Sequence, residues 1–369
     1  MTITRRDTLK AGLALSAAAA LPALPTRAHG GFAPRPDRWR TFELLTHLEI
    51  AEPAGAVQAW IPLPSISDAA WSRLEGTTWT TNAERAVIAV DPGSGAAMLH
   101  LAWPQGGAQP TASVKSTVAA RSRAADFGKP SGRSITLSAE ERAAALAATR
   151  LIPTEGIVRE TSEGITAGAA SDLEKARRIY DWIVETTYRD PGVRGCGQGD
   201  VVRLLESGRP GGKCADLNGL FVGLARAAGI PARDLYGLRV APSEFGYVSL
   251  GTKGETATRA QHCRAEIFLE GFGWVAADPA DVRKVVLEEL PGNLALTDDK
   301  VTQAREALFG SWEGNWLPYN SARDVALPGS EGPKLGFLMY PQAEIGGHRL
   351  DCLEADAFRY AITAREIAI

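Results

Sequence analysis

The chain has 369 residues, more than the roughly 250 to 300 at which a single hydrophobic core usually stops growing, so we expect two or three structural units. Hydrophobic residues make up 45% and charged residues 22%, which excludes disordered and collagen-like classes. The formal net charge of −3 gives no electrostatic basis for nucleic-acid binding, so polypeptides or small molecules are the expected partners.

The first 28 residues have the organisation of an export signal. Thr4-Arg5-Arg6 precedes an apolar run from Ala11 to Leu24, and the small-residue site Thr26-Arg27-Ala28 follows. The paired arginines favour a twin-arginine signal, although Thr8 occupies a position where a large apolar residue is usual, and an ordinary secretory signal is the alternative. We therefore expect a mature protein that begins near His29, is periplasmic or extracellular, and has no membrane span.

Short alternating runs then predict a small antiparallel β domain over residues 36–125. The clearest runs are Phe42 to Ile50, Ala56 to Ile61, and Ala97 to Trp103, and turn residues such as Asp91-Pro92-Gly93 separate them. Residues 126–134 are rich in glycine, proline and serine, which predicts a linker.

Helix signals begin after the linker. Ser138-Ala-Glu-Glu141 and Ser171-Asp-Leu-Glu174 are capping boxes, each ahead of a helical pattern. A third helix follows Cys214, with one apolar face from Leu217 to Ala228, and Gly229-Ile230-Pro231 ends it. The charged stretch from Asp281 to Glu289 is interpreted as a solvated helical face.

A β-hairpin is predicted from His262 to Leu269 and from Trp274 to Asp278. With a four-residue loop at 270–273, Asp278 would pair with Ala265 and lie on the face opposite His262; an odd-length loop or a bulge would restore a common face. We expect residues 135–290 to form one core, and the aromatic and glycine-rich residues 291–369 to pack on it as a C-terminal extension.

The chemistry is predicted to centre on Cys214. A helix N-terminus and a nearby cation lower the pKa of a thiol, and Lys213 supplies such a charge, while Gly211 and Gly212 allow a close approach to a substrate. A nucleophilic thiol also needs a histidine to hold its proton and a third group to fix the tautomer. His262 and Asp278 are the candidates for these two roles.

No cofactor or metal is expected. The four cysteines (196, 214, 263 and 352) form no CxxC pair, and the five histidines (29, 47, 100, 262 and 348) do not fall at zinc-ligand intervals. If Cys214 is a working thiol, at most one disulfide can form among the others, and Cys196 either pairs with Cys263 or stays free. The segment from Ser207 to Cys214 approaches a phosphate-binding loop but lacks the glycine and the hydroxyl residue that this motif requires.

Three segments resemble the transglutaminase-like superfamily: Ala176–Tyr188, Gly212–Arg233 and His262–Pro279. They include Gly-Lys-Cys, Gly-Ile-Pro-Ala-Arg and Gly-Trp-Val-Ala-Ala-Asp-Pro in the order of that superfamily, over about residues 170–285. The resemblance implies an α+β, papain-like or transglutaminase-like core in which the nucleophile helix packs on an antiparallel sheet. It also implies that Cys214 is the nucleophile, His262 the general acid and base, and Asp278 its orienting partner.

The resemblance further implies a thioester intermediate and an oxyanion stabilised by the backbone N–H of Cys214. Gln198 and Tyr188 are candidates for a second donor, with Gln198 favoured because Gly197 and Gly199 flank it. The leading hypothesis is an exported cysteine enzyme that hydrolyses peptide or protein amide bonds, with specificity in the loop from Val240 to Gln261. Protein-glutamine acyl transfer and a non-catalytic binding scaffold are the alternatives, and the sequence does not decide the oligomeric state.

Overall fold

The computed structural model describes residues 31–51, 53–104, 108–130, 135–354 and 358–368. The predicted export signal of residues 1–28, the predicted mature start near His29 and part of the predicted linker lie outside the described residues. Within those ranges, none of the helices combines the length and the apolar composition needed to cross a bilayer.

The region that begins the described chain is made of strands. Along the first strand, buried residues alternate with more exposed ones, because successive side chains of a strand point to opposite faces of its sheet. These strands are β1 (Arg40–Glu49), β2 (Val57–Pro62), β3 (Ser72–Thr81), β4 (Arg85–Val90), β5 (Ala97–Trp103), β6 (Thr111–Ala120) and β7 (Arg123–Ala124).

The helices begin at the predicted caps. Ser138 forms a complete capping box with Glu141. The Ser171 hydroxyl accepts a hydrogen bond from the N–H of Glu174, whose carboxylate accepts one from Ala170. The helices are α1 (Ala139–Leu146), α2 (Ile157–Thr166), α3 (Asp172–Thr186), α4 (Val201–Glu206), α5 (Cys214–Ala227), α6 (Pro279–Glu288) and α7 (Asp299–Ala307).

An antiparallel sheet lies beside α5 in the centre of the molecule. Its strand order is β14-β10-β11-β12-β13-β7, and α5 packs against β10 and β11. From Cys214 to Arg226 every residue except Asp216 is buried, whereas the apolar spacing predicted one buried face. The later strands are β8 (Tyr188–Arg189), β9 (Gly211–Gly212), β10 (Ala232–Arg239), β11 (Gln261–Leu269), β12 (Gly273–Ala277), β13 (Phe309–Trp312), β14 (Trp316–Asn320), β15 (Arg323–Val325), β16 (Leu335–Phe337), β17 (Gln342–Ile345), β18 (His348–Arg349) and β19 (Arg359–Ile367).

The β11–β12 hairpin has a three-residue loop, so the prediction of a four-residue loop was wrong. Leu269 pairs with Gly273, and Ala265 pairs with Ala277. Gly273 has a φ of 75°, a left-handed conformation that glycine adopts without strain and that lets the strand begin one residue earlier. The register places Asp278 just beyond the β12 pairing, in line with Arg264 and therefore on the strand face of His262.

The residues after position 291 contribute strands to four sheets, of which one is formed by β15 and β16 alone. β13 and β14 belong to the central sheet. β17 and β18 complete a sheet of order β18-β17-β2-β5-β4, and β19 pairs with β1 in a sheet of order β19-β1-β6-β3. The chain therefore returns at its end to the strands with which the described residues begin.

Candidate active site

Cys214 is the first residue of α5. The preceding strand β9 pairs in parallel with β8, and Gly211 lies so close to Tyr188 that an added Cβ would be 2.1 Å from the ring carbon Cζ. A Cβ on Gly212 would likewise lie 2.5 Å from Cβ of Asp216. The two glycines therefore let the chain pack tightly at the start of the helix, and this packing fixes the position of the Cys214 thiol.

The Asp216 carboxylate ties a neighbouring loop to the helix. Oδ1 accepts hydrogen bonds from the N–H groups of Gln198 (3.0 Å) and Gly199 (2.8 Å), and Oδ2 accepts one from Lys213 (2.9 Å). The N–H of Ala215 donates to the carbonyl of Cys196 at 2.9 Å. These bonds bring Cys196 beside Cys214, although eighteen residues separate them in the chain.

His262 and Asp278 form a buried pair. Nε2 of His262 lies 2.7 Å from Oδ2 of Asp278, and 3.3 Å from Oδ2 of Asp281. Burial and the charge of Arg239 oppose protonation of the imidazole, but the two carboxylates outweigh them and raise the pKa of His262 from 6.5 to about 9. The side chain is therefore an imidazolium at neutral pH, and its Nδ1 is left for the thiol.

Other side chains hold this pair in place. Asn218 of α5 donates to Oδ1 of Asp278 at 3.0 Å and to the carbonyl of Cys263 at 2.8 Å. Asp278 also caps α6, since its Oδ1 accepts the N–H of Asp281 at 3.0 Å. The indole of Trp316 donates to the carbonyl of His262 at 3.0 Å. The helix α5, the strand β11 and the helix α6 are thus joined by one buried network.

Asp281 was interpreted from the sequence as part of a solvated face, and the structure shows that this was wrong. Asp281 is 1% exposed and forms an ion pair with the equally buried Arg239. Burial would raise the pKa of its carboxyl, but Arg239 and His262 hold that pKa well below its usual range. Glu289, at the end of the same stretch, is also buried and accepts hydrogen bonds from Ser249.

Cys214 lies in a group of three buried thiols. The sulfur atoms of Cys196, Cys214 and Cys263 all lie within 4.8 Å of one another, and all three are free thiols. Burial alone would raise the pKa of Cys214, but hydrogen bonds from Cys196, Cys263 and His262 and the charge of the imidazole lower it well below its usual value. The arrangement therefore favours a thiolate at position 214.

Two groups of side chains in the site are of metal-ligand type. One is the three thiols, and the other is His262 with Asp278 and Asp281, whose ligand atoms also lie within 4.8 Å of one another. No zinc site was expected because the cysteines and histidines do not fall at ligand intervals along the sequence. Such intervals do not reveal either group, because the members of each group come from separate segments of the chain. Arg239, Arg264 and Asn218 already pair with the two carboxylates.

A cavity of about 790 Å³ opens onto Cys214 and His262. The loop that precedes β11 forms one wall, with Gly251, Thr252, Lys253, Thr256, Thr258, Arg259 and Ala260. Residues near the end of the chain form another wall, with Tyr340, Cys352, Leu353, Glu354, Phe358 and Tyr360. The otherwise buried thiol is therefore accessible through this cavity.

The structure does not bring the two predicted oxyanion donors, Gln198 and Tyr188, to this cavity. The Gln198 side chain is exposed, and the ring of Tyr188 packs against Gly211; neither residue lines the cavity. Gln261, which sequence reasoning missed, does line it: the residue is 9% exposed, and its Nε2 has no hydrogen-bond partner among the described residues. Its position directly before His262 was the signal available in the sequence.

A cysteine at the start of a central helix, a histidine on the adjacent antiparallel strand and an aspartate after the next strand define the predicted class, an α+β papain-like or transglutaminase-like core. The family model described as the transglutaminase-like superfamily matches residues 159–279. An uncharacterized protein of Haemophilus influenzae is 34% identical over 330 residues, which cover 85% of this chain and 87% of that protein. The chain belongs to the transglutaminase-like superfamily, as the three sequence segments predicted.

Solved structures are similar at low sequence identity. The crystal structure of a cysteine-protease candidate from Cytophaga hutchinsonii is 14% identical, with a TM-score of 0.49, and the match covers 89% of this chain and 99% of that one. The periplasmic domain of TgpA from Pseudomonas aeruginosa is also 14% identical, with a TM-score of 0.33, covering 66% of this chain and 88% of that one.

Proposed function

We propose that the chain is an exported cysteine enzyme that hydrolyses amide bonds of peptides or proteins through a thioester on Cys214. The observation that carries the proposal is the buried sequence of contacts from Cys214 through His262 to Asp278, open to a cavity at the thiol. A binding scaffold has no physical need for a thiol of lowered pKa beside a protonated imidazole.

In the acylation step, the Cys214 thiolate attacks the carbonyl carbon of the amide. A carbon–sulfur bond forms, and the oxyanion accepts hydrogen bonds from the N–H of Cys214 and from Nε2 of Gln261. The His262 imidazolium gives its proton to the leaving nitrogen, the carbon–nitrogen bond breaks, and the amine departs. Asp278 keeps Nε2 of the imidazole occupied, so Nδ1 faces the reacting atoms.

In the deacylation step, the now neutral His262 takes a proton from water as the water attacks the thioester. The free acid leaves, and the thiolate and the imidazolium are restored. An amine in place of water would give transamidation by the same steps, so the acyl acceptor is decided by what enters the cavity.

The test is hydrolysis of a fluorogenic peptide mixture by the mature protein, with Cys214→Ala as the test variant and Gln198→Ala, at an exposed side chain outside the cavity, as the control. We expect kcat to fall by at least about 10³-fold for Cys214→Ala and to stay within about twofold for Gln198→Ala. An acyl-enzyme mass on the peptide that contains Cys214, released by hydroxylamine, would identify the thioester. Activity that survives Cys214→Ala would refute the proposal.

Added primary amine separates the two acceptors. Product that is only free acid supports hydrolysis, whereas amine incorporated into the product supports acyl transfer. Gln261→Ala should lower kcat by about 10²-fold with little change in KM, because its amide acts on the oxyanion that develops in the transition state. Cell fractionation of a protein in which Arg5 and Arg6 are replaced by lysine tests export, and the proposal predicts that this variant stays in the cytoplasm.

A further inference from the structure

The cavity above Cys214 is strongly cationic, in contrast to the rest of the chain. The formal net charge of the whole protein is −3. The cavity is lined by one carboxylate, Glu354, and by seven lysine and arginine side chains: Arg189, Arg194, Lys213, Arg239, Lys253, Arg259 and Lys284. A concave site lined by one sign of charge concentrates ligands of the opposite sign.

Carboxylates of the protein neutralise part of this charge. Arg194 pairs with Asp351 and Glu354, and Arg239 pairs with Asp281. Arg189 and Lys284 share Glu288, with Nζ of Lys284 at 3.7 Å from its carboxylate. One carboxylate for two cations leaves an excess of positive charge at this side of the cavity.

Three further cations make no ion pair with any residue in the described part of the chain: Lys213, Lys253 and Arg259. Lys213 directly precedes the nucleophile, while Lys253 and Arg259 are exposed side chains of the wall formed by residues 251–260. This wall supplies charge at a distance from the reacting atoms, where a substrate would be recognised rather than transformed.

Main-chain hydrogen bonds hold this wall in one conformation. The N–H of Ala257 donates to the carbonyl of Ile362 at 2.8 Å, and the N–H of Ala364 donates to the carbonyl of Glu255 at 2.8 Å. Thr258 accepts the N–H of Ile362 at 2.9 Å. Because the backbone between Lys253 and Arg259 is fixed to β19, the binding of an anion costs little conformational entropy.

We propose, on the basis of the proposed function, that this enzyme selects acyl donors that carry carboxylates, and that Lys253 and Arg259 recognise them. The donor is a peptide with acidic side chains or a free α-carboxylate near the scissile bond. The wall formed by residues near the end of the chain contains Leu353, Phe358 and Tyr360, which fit an apolar side chain of the same peptide.

The test measures binding separately from turnover. The Cys214→Ala protein is titrated with peptides of equal length: one with acidic side chains and an amidated end, one neutral with a free α-carboxylate, one neutral and amidated, and one basic. We expect one or both carboxylate peptides to bind at least about tenfold more tightly than the neutral amide, with the advantage decreasing as salt is added. The first two peptides show which kind of carboxylate is recognised.

Three double variants complete the design. Lys253→Glu with Arg259→Glu should abolish or invert the preference, and the milder Lys253→Gln with Arg259→Gln should reduce it if the reversal fails to fold. Arg85→Glu with Lys334→Glu reverses two exposed cations that do not line the cavity and should change nothing. Equal binding of all peptides, binding of none, or a preference that survives charge reversal would overturn the inference.

Turnover by the protein with Cys214 intact distinguishes the two proposals. A carboxylate peptide that binds selectively but is never cleaved would contradict the proposed hydrolysis and leave the charge recognition standing. Cleavage of neutral and acidic peptides with the same kcat/KM would contradict the charge recognition and leave the hydrolysis standing.

Discussion

Replacement of Asp278 by asparagine isolates the charge that supports the imidazolium. Asparagine is as good an N-cap as aspartate, so α6 keeps its first hydrogen bond, and the side-chain volume is unchanged. What changes is one of the two carboxylates next to Nε2 of His262, whereas Asp281 remains at 3.3 Å. The variant therefore tests electrostatics rather than packing.

The size of the effect follows from the pKa of His262. Its rise from 6.5 to about 9 corresponds to about 3 kcal/mol of stabilisation of the imidazolium. The carboxylates together supply more than this net value, because burial and Arg239 act against them. Loss of the charge on Asp278 should then remove at least about half of the net value, which is about 1.5 kcal/mol or about a factor of ten in the equilibrium constant between the thiolate–imidazolium pair and the neutral pair.

The assay is the pH dependence of Cys214 alkylation, read by peptide mass so that the other thiols are counted separately. Asp278→Asn should slow the labelling at pH 6 by about tenfold or more and lower kcat/KM by a similar factor. Asp234→Asn is the matched control: it removes a buried carboxylate that pairs with Arg323, and it should leave the labelling unchanged. Superimposable profiles for wild type and Asp278→Asn, or an equal loss in the control, would refute the reasoning.

Three other variants examine separate parts of the site. Cys196→Ala removes a hydrogen bond that lowers the pKa of Cys214, so Cys214 labelling at pH 6 should slow by up to about tenfold. Asn218→Ala leaves buried partners unpaired and should lower the urea-unfolding free energy by about 2–4 kcal/mol. In Cys214→Ala, where His262 titrates without its partner, the stabilisation present below pH 6.5 should be lost as the pH rises through 9, a decrease of up to about 3 kcal/mol. In wild type, the folded pair of Cys214 and His262 holds one proton between about pH 6.5 and 8.5. In the unfolded chain these two side chains also hold one proton over that range, so the unfolding free energy should not change with pH there.

For each of these three predictions, a control or an outcome is available that would contradict it. Cys352→Ala should not change the labelling of Cys214, and an effect equal to that of Cys196→Ala would argue against the thiol contact. Gln198→Ala, at an exposed side chain, should change the unfolding free energy by less than about 0.5 kcal/mol, against the larger loss for Asn218→Ala. Identical pH slopes in wild type and Cys214→Ala would argue against a thiolate–imidazolium pair.

The parts of the site that sequence predicts are those encoded locally. The helical apolar spacing and the Gly-Ile-Pro terminator place Cys214 at a helix start, and the alternation after His262 gives the strand. The hairpin register was missed by one residue, because glycine is typical of turns and nothing in the sequence assigns Gly273 to the strand rather than to the loop. Gly273 has a positive φ and yet pairs with Leu269, and this single residue moves Asp278 to the face of His262.

The parts that could not be predicted depend on contacts between distant segments. Asp281 has the composition of a solvated helix, and only its pairing with Arg239, on a strand far upstream, makes its burial favourable. The position of Cys196 beside Cys214 results from the bonds of Asp216 to a glycine-rich loop, which has no periodicity to detect. The strands after residue 340 are short, and their partners lie near the opposite end of the chain.

The pairing of β19 with β1 has a consequence for how the protein is made. Thr41 lies opposite Ile367, so these two strands cannot pair fully until Ile367 has left the ribosome. The same last strand fixes the cationic wall of the cavity through Ile362 and Ala364. Contacts of such long sequence separation form late in folding. A nascent chain therefore carries α5 and Cys214 well before the cavity beside this thiol is finished.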